Sequence, residues 1–218
     1  VHVIRRQKGI VGLFPEGAQS WSGGSLPLVP STAKLLKLLK VPVVRVVIGG
    51  GYFALPRWTW KRRKGPVVLT FSVLFTAEQL KALSVEELSQ KLDEGLSHND
   101  FTDPDVQNHA YDSARQAEHI ELALYLCPNC DSLGSLRSRR THLHCTACGA
   151  SWRLDRYYAL HTLSAPVLSF DSITAWDTWQ TKRVAEIALK AKTEAPHHPV
   201  ISDAGVLLLQ GHKANPLR

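Results

Sequence analysis

The chain has 218 residues, 44% of them hydrophobic, and a formal net charge of +7. That is enough apolar content for one good core and a small appendage. No stretch approaches the roughly 18 apolar residues a spanning helix needs, and no secretory leader pattern is visible.

The charge is uneven. Residues 17–77 carry nine Lys and Arg and no Asp or Glu. Residues 1–16 add +2, and residues 78–218 carry −4. The basicity belongs to one region, which points to a partner with phosphates or an anionic surface. All four Cys lie between positions 127 and 148. This fits a reducing compartment and one metal site. The chain begins at Val1 and contains no Met, so it is expected to be a fragment or a processed form.

In chain order, residues 10–14 are a continuous apolar run, the pattern of a buried parallel strand. Pro15 and Gly17 end it. A Ser-, Gly- and Pro-rich loop follows. Ser31 and Thr32 then cap a helix whose apolar stripe is Leu35, Leu36 and Leu39. Residues 41–48 form a second buried strand, closed by Gly49, Gly50 and Gly51. Residues 66–75 form a third. Strand, helix and strand at this spacing read as a βαβ unit.

Ser84 with Glu87 three residues on is a capping box opening a helix to about Leu96. A polar helix is expected over 104–125. Residues 171–192 form another helix, with Trp176 and Trp179 as core. Residues 206–209 read as a strand with no visible partner.

Cys127 and Cys130, and Cys145 and Cys148, are two Cys-x-x-Cys knuckles with 14 residues between them. Four thiolates at this spacing can surround one zinc ion, and a closed four-Cys site is structural. A redox pair or two disulfides are the weaker alternatives. His142 and His144 are expected to be exposed hairpin residues.

Glu16 is the only acidic residue in the first 77 positions. With Phe14, Pro15, Gly17, Ala18, Gln19 and Ser20, followed by the strand around Val41, Pro42, Val43 and Val44, it carries a resemblance. The segment resembles the glycerolipid acyltransferases, the lysophosphatidate (1-acylglycerol-3-phosphate) acyltransferase family, in a bacterial subgroup with an appended zinc ribbon. The resemblance covers about residues 1–75. It implies an α/β fold: the C-terminal part of an acyltransferase αβ domain, with a mixed or parallel sheet and helices, then a helical segment and a small zinc ribbon. The implied divisions are 1–76, 77–125, 126–158 and 159–218.

The resemblance also implies transfer of a fatty acyl group from acyl-CoA or acyl-carrier protein to a lysophospholipid or glycerol-phosphate-like acceptor. Phe14, Pro15, Glu16, Gly17, Gln19, Ser20 and Arg45 would bind that acceptor. The family's Thr-Arg pair is Ala18-Gln19 here, so its phosphate-binding Arg is missing, and Arg45 is the expected substitute. The family's base is a His with an Asp five positions on, well ahead of the Glu motif. His98 with Asp103, and His198 with Asp203, show that spacing but follow the motif. Pairs at that spacing arise by chance in a chain with ten His. No catalytic residue is assigned to this chain.

Arg57, Trp58, Trp60, Lys61, Arg62, Arg63 and Lys64 mix aromatic anchors with cations. They are expected to contact an anionic membrane surface or the acyl donor. The protein is therefore expected to be cytoplasmic and peripheral at the inner face of the membrane. The alternative is a zinc-ribbon nucleic-acid binder. Residues 126–158 carry only a modest positive excess, so nucleic acid is the less favoured partner.

Overall fold

The computed structural model describes residues 2–164 and 168–194, and the backbone of 207–210 and 213–216. The chain divides into two compact units, Val1–Thr178 and Trp179–Arg218. The divisions expected at 76, 125 and 158 all fall inside the first unit.

The helices and strands of the first unit begin with α1 (His2–Arg5), α2 (Ser31–Leu39), β1 (Val43–Gly49), α3 (Gly51–Ala54) and β2 (Val68–Phe75). They continue with α4 (Ala77–Ala82), α5 (Val85–Leu96), β3 (Leu136–Arg139), β4 (His142–Cys145), β5 (Ser151–Leu154) and β6 (Leu160–Thr162). Helix α6 (Ile173–Glu194) runs from the first unit into the second, which also holds β7 (Leu207–Gln210) and β8 (Lys213–Pro216). The fold is mixed α/β, and every sheet among the described residues is antiparallel.

The expected βαβ unit is therefore corrected. Residues 10–14 form no strand. Ile10 is 98% exposed and Phe14 84% exposed. An apolar run becomes a buried strand only where a neighbour takes its backbone bonds and its faces are covered. Here β1 pairs with β2 alone, and the strand expected to be buried over 41–48 keeps Val44, Val46 and Ile48 exposed on one face.

The local signals fared better. Helix α5 starts after Ser84, whose hydroxyl accepts from Glu87 N while the Glu87 carboxylate accepts from Ser84 N at 2.7 Å. Thr76 and Gln79 make the same reciprocal cap on α4, which sequence reading missed. On α2, Pro30 is the N-cap and no side chain caps the helix. Its buried stripe is Ala33, Leu36 and Leu39, while Leu35 turns outward. Leu36 and Ala33 join Phe75, Leu80, Leu88 and Leu92 in one core, with α2, α4 and α5 packed together.

The polar helix expected over 104–125 is also corrected. Those residues form turns and one short 3₁₀ helix, Ile120–Leu122. Asp103 accepts from Asp105 N and Ser113 from Arg115 N, local bonds that compete with a helix. In the second unit, β7 does have a partner, β8, in register Leu207 to Pro216. The partner is polar and ends in Pro, so no apolar pattern marks it. Val206 of the expected strand lies outside the described residues.

Strands β3 to β6 form a four-stranded meander. Leu136, Leu143, Trp152 and Leu154 are buried on one face. Trp176, at the start of α6, closes that face: its ring lies 4.9 Å from Trp152, and its Nε1 donates to Leu126 O. An aromatic cluster ties this sheet to α3. The Phe53 ring lies 4.5 Å from Tyr158, and the Tyr158 hydroxyl donates to Phe53 O.

Candidate functional site

Residues 14–17 form a turn, not a strand end. Gly17 N donates to Phe14 O at 3.2 Å, Pro15 presets the second position, and Gly17 takes a φ of +70°. Two bonds then close the loop behind it. Val29 N donates to Pro15 O at 2.7 Å, and Leu26 N donates to Glu16 Oε2 at 2.8 Å. Glu16 is half-buried, and it organises the loop with one oxygen. The Ser20 hydroxyl accepts from Ser22 N and Gly23 N. A groove of about 420 Å³ runs beside this loop, between residues 27–30, the start of α2 and one side of α5.

The loop meets the basic segment. Gln19 Nε2 donates to Leu55 O at 3.1 Å, and Arg57 Nη1 donates to Gln19 O at 2.9 Å. The Arg57 guanidinium lies 4.4 Å from the centre of the Trp21 ring and stays exposed. Two regions expected to act separately are thus in contact. Arg45 is engaged elsewhere: its Nε donates to Ser72 Oγ at 3.1 Å and its Nη1 to Gly95 O on α5.

Two members of the basic segment are not surface residues. Trp58 is 1% exposed and Arg63 is 2% exposed. Arg63 lies between the Trp58 and Tyr158 rings, 4.6 and 4.9 Å from their centres, and donates to Gln116 O. Burial pushes its pKa down to about 10, against a smaller upward pull from Tyr52. Aromatic faces on both sides make the apolar site tolerable for a cation. Arg57, Trp60, Lys61, Arg62 and Lys64 remain exposed.

The four cysteines converge. Their Sγ atoms all lie within 4.8 Å of one another, with Cys127 to Cys148 at 3.7 Å and Cys130 to Cys145 at 3.8 Å. A zinc ion bound tetrahedrally at about 2.3 Å spaces its sulfurs by about 3.8 Å. The donor set and its spacing thus fit a metal ion and are compatible with a structural zinc. The two knuckles are built alike. Asp131 N returns to Cys127 O and Gly149 N to Cys145 O, and Asp131 and Gly149 both take positive φ. Burial raises the Cys145 thiol, but the Ser135 hydroxyl and the Cys148 and Ala147 N–H groups outweigh it and bring it to about 6. Burial pushes Cys127 up. His142 and His144 are exposed on β4 and outside this cluster.

A second cluster was only half visible in the sequence. His98 Nε2 lies 2.7 Å from Asp100 Oδ1 and 3.6 Å from Asp103 Oδ2. Asp100, 1% exposed, also accepts from Gly50 N and Tyr52 N, both at 2.9 Å. Its oxygens are spent pinning the turn between β1 and α3. The spacing of His98 and Asp103 is visible in the sequence, but nothing there marks Asp100. His198 and Asp203 lie outside the described residues.

Among the described residues no helix is long and apolar enough to cross a membrane. No protein-family model, curated protein or solved structure matches the chain.

Proposed function

We propose that this chain carries the acceptor-binding side of an acyltransferase acting on a lysophospholipid or glycerol-phosphate-like hydroxyl. The observation that carries this reading is the meeting of the Glu16 loop with Arg57. Gln19 stands where the resemblance expects an Arg, and it leaves a phosphate unneutralised. Arg57, bonded to Gln19 O and braced on Trp21, restores a cation at that place. Arg57 thus replaces Arg45 as the phosphate-binding residue of the proposal. Phe14, Pro15, Glu16, Gly17 and Ser20 shape the loop that receives the acceptor.

In the proposed reaction the acceptor oxygen attacks the thioester carbonyl of acyl-CoA or acyl-carrier protein. An ester bond forms, the carbon–sulfur bond breaks, and the hydroxyl proton leaves to a base. The resemblance assigns that base to a His-x4-Asp pair, which residues 1–13 do not contain. The exposed Trp60, Lys61, Arg62 and Lys64 would face an anionic membrane on the cytoplasmic side. The four cysteines would hold a structural zinc in a ribbon.

The test is calorimetric titration of the chain with glycerol 3-phosphate, a water-soluble acceptor mimic. Arg57→Gln is expected to weaken binding by roughly tenfold, the worth of one charge-assisted contact. Arg45→Gln is expected to leave it nearly unchanged. Equal affinity in the wild type and Arg57→Gln, or no binding by either, rejects the reading.

A further inference from the structure

We propose that the solvent face of the β3–β6 sheet is a docking surface for an acidic protein segment. The argument starts from strand register and is independent of the acyltransferase reading. Arg139 on β3 stands opposite His142 on β4, His142 opposite Arg153 on β5, and Arg153 opposite His161 on β6. One unbroken row therefore crosses all four strands. The neighbouring pair, Arg137 and His144, extends it on the same face. All six side chains are exposed.

Alternation explains the segregation. Successive residues of a strand point to opposite faces, and here the other face is the buried one lined by Leu136, Leu143, Trp152 and Leu154. The row is not neutralised along its length. Asp155 meets His161 at 2.7 Å at the β6 end. Arg139 and Arg153 make no ion pair among the described residues. Strands spaced about 4.8 Å apart put Arg139 and Arg153 roughly 10 Å from one another. Carboxylates on successive turns of one helix face lie about 6 and 12 Å apart and bracket that separation. The cations are guanidinium forks, suited to carboxylates in bidentate geometry.

Two other partners fit less well. Sheets that bind single-stranded nucleic acid offer exposed aromatic rings for the bases. Here Trp152 and Tyr158 are buried, none of the six residues is Phe, Tyr or Trp, and the exposed Tyr157 lies in the β5–β6 connection, off the strands. A membrane-binding face needs apolar side chains to insert, and the apolar residues of this sheet point the other way.

The experiment uses the purified chain and fluorescence anisotropy. One probe is a labelled helical peptide with Glu at every fourth position; the other is a thymidine oligonucleotide of equal net charge. The peptide is expected to bind more tightly. Arg139→Glu with Arg153→Glu is expected to weaken it by about tenfold or more. Lys61→Glu with Arg62→Glu, in the other basic region, is expected to leave it within about twofold. Both pairs are exposed, and unchanged circular dichroism confirms that each variant is folded. Unchanged peptide affinity in the first pair, or loss only in the second, overturns the proposal. Tighter binding of the oligonucleotide through Arg139 and Arg153 overturns it in favour of nucleic acid.

Discussion

At the scale of the residue, His98 ties its protonation to a buried carboxylate. Its bond to Asp100 raises its pKa above the ordinary 6.5, against some burial, with Asp100 and Asp103 charges adding and Arg45 subtracting. The charged imidazole links Asp100, which holds the Gly50 and Tyr52 N–H groups, to Asp103. A raised folded pKa means that folding favours the protonated form. The stabilisation is complete below about pH 6.5 and is lost as pH rises through the raised value. The urea midpoint should therefore fall between about pH 6 and pH 8.5 in the wild type, and His98→Gln should flatten that slope. Parallel slopes in the two proteins would show that His98 does not set it. The sequence made this residue legible only as half of a spacing pattern. Its chief partner, Asp100, is two positions away and became important only when the turn after β1 came to it.

At the scale of the element, the cysteine knuckles show how spacing becomes geometry. Each Cys-x-x-Cys turns back on itself by one backbone bond, and a residue at positive φ leads the chain out. Each turn needs only five consecutive residues, 127–131 and 145–149, so the spacing and the Gly149 turn are legible in the sequence, while the positive φ of Asp131 is not. Bringing the pairs together takes the β3–β4 hairpin, which places Cys145 opposite Leu136. The purified chain is expected to hold about one zinc per molecule by elemental analysis. Cys145→Ser should leave well under half of that, because a closed structural site uses all four ligands. Full retention of zinc in Cys145→Ser would place the metal elsewhere. Helix α5 was equally legible, since its capping box lies within four consecutive residues. The segment 104–125 was not, because turn residues and scattered buried apolar positions do not announce which long-range contacts they make.

At the scale of the whole molecule, the largest consequence is an apolar face left open. On the β1–β2 ladder, Val44 stands opposite Val73, Val46 opposite Phe71 and Ile48 opposite Leu69. All six are exposed, Phe71 at 64%. Soluble monomers rarely leave contiguous apolar surface beyond the order of a few hundred Å². Each strand also has one unpaired edge among the described residues. An environment-sensitive hydrophobic dye should bind this chain, and Phe71→Lys should reduce the binding. Because Phe71 packs little, the same substitution should change stability by less than about 0.5 kcal/mol. Unaltered dye binding would show that the face is covered in solution, and light scattering would detect self-association.

What the sequence determined by itself was local. The extents of α5, β1 and β2, the helix at α6, and the knuckle spacing follow from caps, apolar periodicity and Cys positions within short windows. What only the tertiary structure decided depends on residues far apart in the chain. Pairing made β1 and β2 antiparallel and left residues 10–14 without a neighbour. Packing drew Trp58 and Arg63 inward, where the Trp58 and Tyr158 rings replace water around the guanidinium. A contact across 38 positions joined Arg57 to Gln19 and brought the two motifs together. Residue types and spacing state which groups are available; the free energy of burial and pairing selects which of them meet.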